Sequence, residues 1–358
     1  MDQQLQFLKE LTDLNGIPGQ EHTVAKYMKE AVKAVADEVV SDNLGSVIAK
    51  KVGDENGPRI MVAGHLDEVG FIVHYIDDNG FVKFNPVGGW WGQVMLAQQV
   101  QITTRKGIIR GVIGSTPPHV LTPEARQKPV DIKEMYIDLG TDSKEETLAT
   151  GIRPGDMITP YIEFHQMANP KYLVAKAWDN RIGTAVAIEA LNQLQGLNHP
   201  NIYYGVGTVQ EEVGCRGAQT TSTMINPDIA IAVDVGLSGG TPGVSAQIQA
   251  KMGKGPILLM QDGGLIGHRD LRDYIIDVCE ELEIPYQLDV LGGGATDAAR
   301  MHLVHDGAPA ISLCIPSRYI HSHTSMIHRD DYDNTVKLVV ELMKRLDRAT
   351  VNQITFPE

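Results

Sequence analysis

Several separated segments of the chain place a residue able to bind a divalent cation where an apolar run stops. PRIMVAG leads to His65, with Asp67 two residues on; NIYYGVGTVQ leads to Glu211 and Glu212; PDIAIAV leads to Asp234; and PAISLCIP is followed by SRYIHSH, which holds His321 and His323. Asp179 stands just ahead of RIGTAVAIEALNQL, where Asp179 or Asn180 is placed to cap a helix. Imidazole and carboxylate are the usual ligands of catalytic zinc, and one carboxylate can bridge two metals about 3.5–4 Å apart. Two divalent ions would be balanced by three ligand carboxylates and a hydroxide, leaving a further carboxylate free as a base. The adjacent pair Glu211 and Glu212 offers both kinds from one loop. Taken singly, each residue has an ordinary explanation: a lone His or Asp at a strand end serves a turn or a cap, and neighbouring glutamates form a solvated pair. Their common position at strand ends is the signal, because ligands of open α/β sheets gather outside the carboxyl ends of the strands.

The elements that must position these residues follow from periodicity. Leu5, Leu8, Leu11 and Leu14 mark one amphipathic helix, stopped by NGIPG, and Val24, Tyr27, Met28, Ala31 and Val35 mark a second. Ser46–Lys50 reads as a strand, and PRIMVAGH as a buried strand ending at His65. From Phe71 to Phe164 the texture changes to short alternating runs (GFIVHYI, FVKFNPV, QVQITT, GIIRGVI, EMYIDLG, DMITPYI) with no long helix between them. Elsewhere strands alternate with helices: AWDN leads to RIGTAVAIEALNQL, YYGVGTVQ to GAQTTSTMI, and PILLMQ to a helix around Leu271–Leu282. The pattern describes an α/β domain built from both ends of the chain, residues 1–70 and 164–358, with an all-β domain, residues 71–163, inserted between them.

Composition narrows the function. The 358 residues carry 31 Lys and Arg against 45 Asp and Glu, a net charge of −14 that argues against nucleic acid or an anionic membrane as partner. No apolar run approaches the ~18 residues of a membrane span. The opening MDQQLQFLKELTDL lacks the basic start and apolar core of an export signal. Cys215, Cys279 and Cys314 show no zinc-type spacing and read as small buried hydrophobes in a reducing compartment, so a cytoplasmic location is expected.

GHLDEVG, WDNR, QEEVG, the Asp of AVDVG, GGGATDAA and RYIHS occur here in an order and spacing that resembles the cytosolic two-metal aminopeptidases, which include bacterial glutamyl aminopeptidase and the tetrahedral (TET) deblocking and leucyl aminopeptidases. The likeness spans essentially the whole chain. It implies a mixed sheet flanked by helices of the zinc-exopeptidase type, with an inserted β domain that mediates dimerisation, and dimers that build a tetrahedral dodecamer. It also implies two divalent ions per subunit, zinc or else cobalt or manganese. His65 and Asp234 would hold one metal, Glu212 and His321 the other, and Asp179 would bridge them. Glu211 would be the general base, taking a proton as a metal-bridging hydroxide attacks the scissile carbonyl of a peptide with a free N-terminus. Asp67 would accept a hydrogen bond from His65 and fix its tautomer. His323 stands as a residue of the site rim or an interface. For GGGATDAA two readings are compatible: Thr296 caps a helix with Asp297 at its positive end, and Asp297 contacts the substrate's amino group.

Three other functions fit parts of the pattern. They are an N-acyl amino acid deacylase or carboxypeptidase on the same scaffold, a glycosidase using paired carboxylates without metal, and a non-catalytic peptide-binding assembly. The preferred N-terminal residue is not written in these motifs.

Overall fold

The computed structural model describes residues 1–244 and 248–356, so the expected domain end at 358 falls outside it. In chain order the strands are β1 (Glu38–Ser41), β2 (Val47–Val52), β3 (Arg59–His65), β4 (Gly70–Ile76), β5 (Val82–Val87), β6 (Gln99–Thr104), β7 (Gly107–Gly114), β8 (Tyr136–Asp138) and β9 (Met157–Pro160). They continue as β10 (His165–Gln166), β11 (Tyr172–Ala175), β12 (Ile202–Thr208), β13 (Ile229–Leu237), β14 (Ile257–Gln261), β15 (Gln287–Val290), β16 (Ala310–Arg318) and β17 (Ser325–His328). The helices are α1 (Gln3–Asp13), α2 (His22–Val32), α3 (Pro123–Arg126), α4 (Lys144–Ala149), α5 (Trp178–Gln193), α6 (Arg216–Ile225), α7 (Arg269–Glu281), α8 (Ala298–Met301), α9 (Arg329–Met343) and α10 (Arg348–Thr355).

Among the described residues, β4–β9 close into a barrel in the order β4-β5-β8-β7-β6-β9, and the other strands form one mixed sheet. That sheet runs β1-β2-β12-β3-β13-β16-β17-β11-β10, with β14 alongside β16 and β15 beyond it. The fold class is thus a mixed sheet flanked by helices, with a separate β-barrel. The strands read from alternation in the middle of the chain are those of the barrel. α3 and α4 interrupt them for short stretches, with Thr122 accepting from the Ala125 N–H at the start of the first and Ser143 from the Glu146 N–H at the start of the second. The edge strands β1 and β10 had no recognisable pattern.

Parallel pairing at the centre of the sheet decides where the site forms. β3 lies parallel to β12, with His65 opposite Thr208, and parallel to β13 as far as Ala63 opposite Ala232. Two further steps on each strand bring His65 level with Asp234. β13 in turn runs parallel to β16, with Asp234 opposite Cys314. These carboxyl ends therefore point the same way. Asp234 is not a strand end, as its sequence suggested: β13 outlasts β3 and stays paired with β16 to Leu237.

α1 buries Leu5, Leu8 and Leu11, and α2 buries Val24, Ala25, Met28 and Val32, on the same core as α5. α2 stops before Val35. α5 is buried over most of its surface, including Ile182, Ala185, Val186, Ile188 and Leu191, which its run of small and aliphatic residues permits. It sits on the sheet through two glycines. A Cβ on Gly64 would lie 2.2 Å from the carbonyl carbon of Gly183, and one on Gly183 would lie 2.2 Å from the Val233 oxygen. Backbone meets backbone there, so neither neighbour can rotate away. Gly64→Ala is expected to push α5 off the sheet and destabilise the fold by about 3 kcal/mol or more, read as a lower midpoint in urea unfolding; an unchanged midpoint would show that the contact has slack.

Candidate active site

The loop after β12 carries the glutamate pair. Gln210 and Cys215 both take left-handed backbone angles, φ 57° and 53°, and the N–H groups of Gly214 and Cys215 donate to the Glu211 carbonyl at 2.8 and 2.9 Å. This tight turn presents Glu211 and Glu212 together. Asp67 fixes it from below: its Oδ1 accepts from the Glu211 N–H and its Oδ2 from the Glu212 N–H, both at 3.0 Å. These two contacts come in addition to the expected place of Asp67 beside His65. The His65 Nδ1 lies 3.0 Å from the Asp67 backbone carbonyl and 3.6 Å from the carboxylate. With its Nδ1–H donated to that carbonyl, His65 turns Nε2 toward the acids.

Asp179 lies at the start of α5, where it and Asn180 leave helical geometry. Asn180 supplies the cap, its Oδ1 accepting from the Gly183 N–H at 2.9 Å while its Nδ2 donates to the Val233 carbonyl at 2.7 Å. Asp179 is thereby left free. Its Oδ1 lies 3.1 Å from His65 Nε2 and its Oδ2 lies 3.3 Å from His321 Nε2. Asp234 Oδ1 is 3.9 Å from His65 Nε2, and Glu212 Oε2 is 3.4 Å from His321 Nε2. Three donor triads meet here, His65–Asp179–Asp234, Asp179–Glu212–His321 and His65–Glu211–Glu212, each with ligand atoms within 4.8 Å of one another, and Asp179 is common to the first two.

His321 and His323 part company. Tyr319 and His321 have φ of 62° and 57°, and this left-handed loop sends His321 to the acids. His323 is buried instead beside the Trp90 ring, 5.3 Å between centroids, and neither of its nitrogens has a partner. Burial pulls its pKa down to about 4, so it is neutral. A cavity of about 670 Å³ opens on Asp179, Glu211, Glu212, Asp234 and His321, while a second of about 720 Å³, lined by Trp90, Trp91 and His323, joins it at His321. Asp297 lines neither. It is 2% exposed, below the cavity floor, where its Oδ2 accepts from the Thr208 hydroxyl. Asp297 stands at the N-terminus of α8 as expected, but Thr296 does not cap it: the Thr296 hydroxyl pairs with that of Ser312 at 2.7 Å.

The acids outweigh the cations around them. Burial, then the charge of Asp179, pushes the Asp234 pKa up to about 8 and that of Glu212 well above its usual value. Burial also raises Glu211; the His65 charge opposes this, and Asp234, Asp297 and Asp67 add to it. For His65 burial favours the neutral ring, but Glu211 and its other acidic neighbours outweigh it and raise the pKa. Asp179 behaves oppositely to the other acids: burial is overcome by its contacts with His321 and His65, and its pKa falls. A carboxylate and imidazole donor set with this surplus of negative charge, and with Glu212 Oε1 buried and unpartnered, suits divalent cations.

A mixed sheet with such a constellation beyond its parallel strand ends is of the α/β class and has the donor set of a divalent-cation site. The model of the M42 glutamyl aminopeptidase family matches residues 45–338. The glutamyl aminopeptidase of Lactococcus lactis is 34% identical, over 97% of this chain and 98% of its own. The crystal structure of the TET aminopeptidase from the marine sediment archaeon Thaumarchaeota archaeon SCGC AB-539-E09 is 43% identical, with a TM-score of 0.96 over 99% of this chain and 100% of that one. The Pyrococcus horikoshii TET1 peptidase, which can assemble into a tetrahedron or a large octahedral shell, is 31% identical with a TM-score of 0.85, over 96% and 100%. The chain belongs to the M42 family of aminopeptidases, which are metallopeptidases.

Pattern reading missed the groups that hold this site in place. Glu68 Oε1 accepts from Lys176 Nζ at 2.6 Å and from the Arg181 guanidinium at 3.2 Å, and all three are buried. Arg181 also donates to the carbonyls of Leu66, Leu11 and Leu14 at 2.8–2.9 Å, tying the end of α1 to the end of β3 two residues from Asp179. Glu21 caps Gln210 from the other side, its Oε1 accepting that N–H at 2.9 Å. Glu68→Ala would leave two buried cations facing no carboxylate, and is expected to cost about 3–5 kcal/mol; urea unfolding reads this directly, and a loss below ~1 kcal/mol would mean that water replaces the carboxylate.

Proposed function

We propose that the chain is an aminopeptidase that works with two divalent ions and removes residues from peptides with free N-termini. The observation that carries this reading is the placement of Asp179, whose two oxygens each face a different histidine, at 3.1 and 3.3 Å. His65 and Asp234 would hold one ion, Glu212 and His321 the other, and Asp179 both. Zinc suits these nitrogen and oxygen donors, with cobalt or manganese as alternatives. Such ions supply Lewis acidity at the scissile carbonyl and lower the pKa of bound water toward about 7.

The chain's own residues do the rest. Glu211 takes the proton of the attacking water and returns it to the departing amine, a task for which its position at the cavity wall supports it. Asp67 holds Glu211 and Glu212 in place through their N–H groups. The acidic lining attracts an α-ammonium and favours the amino end of a peptide over its carboxylate end. The buried position of Asp297 supports a role beneath Glu211 in place of a substrate contact, and that of His323 a role in the neighbouring aromatic cavity. We further propose that residues 71–163 form the dimerising domain on a catalytic domain of residues 1–70 and 164–358, and that dimers assemble into a tetrahedral dodecamer; the TET1 assembly supports this. A cytoplasmic location is supported by three buried free cysteines. No helix of the described residues is long and apolar enough to cross a membrane.

Chelator-stripped protein should lose hydrolysis of aminoacyl reporter substrates and regain it with zinc, cobalt or manganese; hydrolysis of N-acyl reporters instead would sink the aminopeptidase reading. Glu211→Gln should keep its metal and lose about 10²–10⁴-fold in kcat, and near-normal turnover would remove Glu211 from the mechanism. Asp179→Ala should lower the metal content of both sites, measured by elemental analysis, whereas loss of only one ion would deny it the shared position.

A further inference from the structure

Behind Glu211 lies a donor cluster that the two Asp179 triads do not use. Cys215 Sγ is 3.3 Å from Glu211 Oε1 and 3.4 Å from the Thr296 carbonyl oxygen. The Asp297 carboxylate completes the group: one ligand atom from each of Glu211, Cys215 and Asp297 lies within 4.8 Å of the others. The three residues are 8%, 5% and 2% exposed. The cluster is built by the turn after β12, since the left-handed Cys215 folds back under the residue whose carbonyl its N–H contacts. It also contains an unmet demand. Asp297 Oδ2 is satisfied by Thr208, but Oδ1 is buried without a partner. A buried carboxylate oxygen without a donor is costly, and a cation held among these three side chains would relieve it.

Glu211 stands between two donor sets. Its Oε2 faces His65 Nε2 at 3.7 Å, and its Oε1 faces the thiol. Glu211 and Cys215 both line the 670 Å³ cavity, so an ion entering that cavity reaches them.

We propose that Glu211 Oε1, Cys215 Sγ and the Asp297 carboxylate form a third cation site, inhibitory and selective for thiophilic divalent ions such as zinc. The inhibitory part rests on the reading of Glu211 as the base. Binding forms one metal–sulfur and two metal–oxygen contacts, and the thiol proton leaves to solvent. A carboxylate that shares its lone pairs with a cation no longer accepts a proton, so turnover falls. One thiolate with two carboxylates suits zinc, whereas manganese and magnesium prefer oxygen donors alone. The same ion that activates the enzyme would thus shut it off when in excess, and manganese would not.

The test uses the full-length protein, stripped and reloaded. Zinc should raise the aminoacyl reporter rate and then lower it, while manganese raises it without a decline. In Cys215→Ser and Cys215→Ala the zinc concentration for half-inhibition, measured against each variant's own maximum, should rise on the order of tenfold or more. Cys279→Ala, a buried thiol elsewhere, should leave it where it is. A second readout does not depend on turnover: titration with cobalt(II) should produce a near-ultraviolet thiolate-to-cobalt band after the activating sites are full, and Cys215→Ser should lack it. Unchanged zinc inhibition in both Cys215 variants, or no such band in the parent protein, overturns the proposal. If Glu211→Gln kept its turnover, the base assignment would fail by itself, and the cobalt band would still decide the site.

Discussion

The structure depends on burying more negative charge in one place than its own cations balance. Asp67, Asp179, Glu211, Glu212 and Asp234 converge on the imidazoles of His65 and His321, with Asp297 behind Glu211. Isolated carboxylates out of water are expensive, and neighbouring ones drive each other toward protonation. The fold meets this demand unevenly. Asp67 is met by two backbone N–H groups, and Asp179 by two histidines. Asp234, Glu211 and Glu212 are left with raised pKa values, which is the electrostatic form of a place for cations.

Holding such a cluster together requires rigid backbone, and the sheet provides it. Parallel pairing of β3, β12, β13 and β16 sets His65 and Asp234 at one level without any loop between them. Asp179 arrives on α5, whose distance from the sheet is fixed by backbone contact at Gly64 and Gly183. The Glu68–Lys176–Arg181 group then locks the end of α1 against the end of β3. A buried ion pair contributes little net stability, but removing one of its partners strands the other charge, so these three side chains stand or fall together.

What the sequence made legible was what periodicity and strand ends can encode. The apolar run of β3 stops at His65, and the halt after β12 marks the Glu211–Glu212 loop. The change of texture near Phe71 marks the barrel. Asp234 was misplaced as a strand end because a run of apolar residues does not say which partner a strand keeps, and β13 stays with β16 after leaving β3. Two residues apart on an extended segment, His321 and His323 would share a face; left-handed φ at Tyr319 and His321 separates them. Lys176 and Arg181 meet Glu68 across more than a hundred residues, and no local pattern announces such a contact.

Cys215 shows how far a compositional reading reaches. As a small buried hydrophobe it was described correctly in burial, since it is 5% exposed. Its neighbours were not legible, because they depend on one backbone angle: φ of 53° turns it beneath Glu211, where an ordinary helical start would have carried it away. A thiol placed there packs and donates like any small polar group, but among these side chains it is the one donor that prefers soft cations to protonated amines. Glu211 thus has imidazole beside one oxygen and sulfur beside the other, and it stands between two sets of donor atoms that differ in the cations they suit.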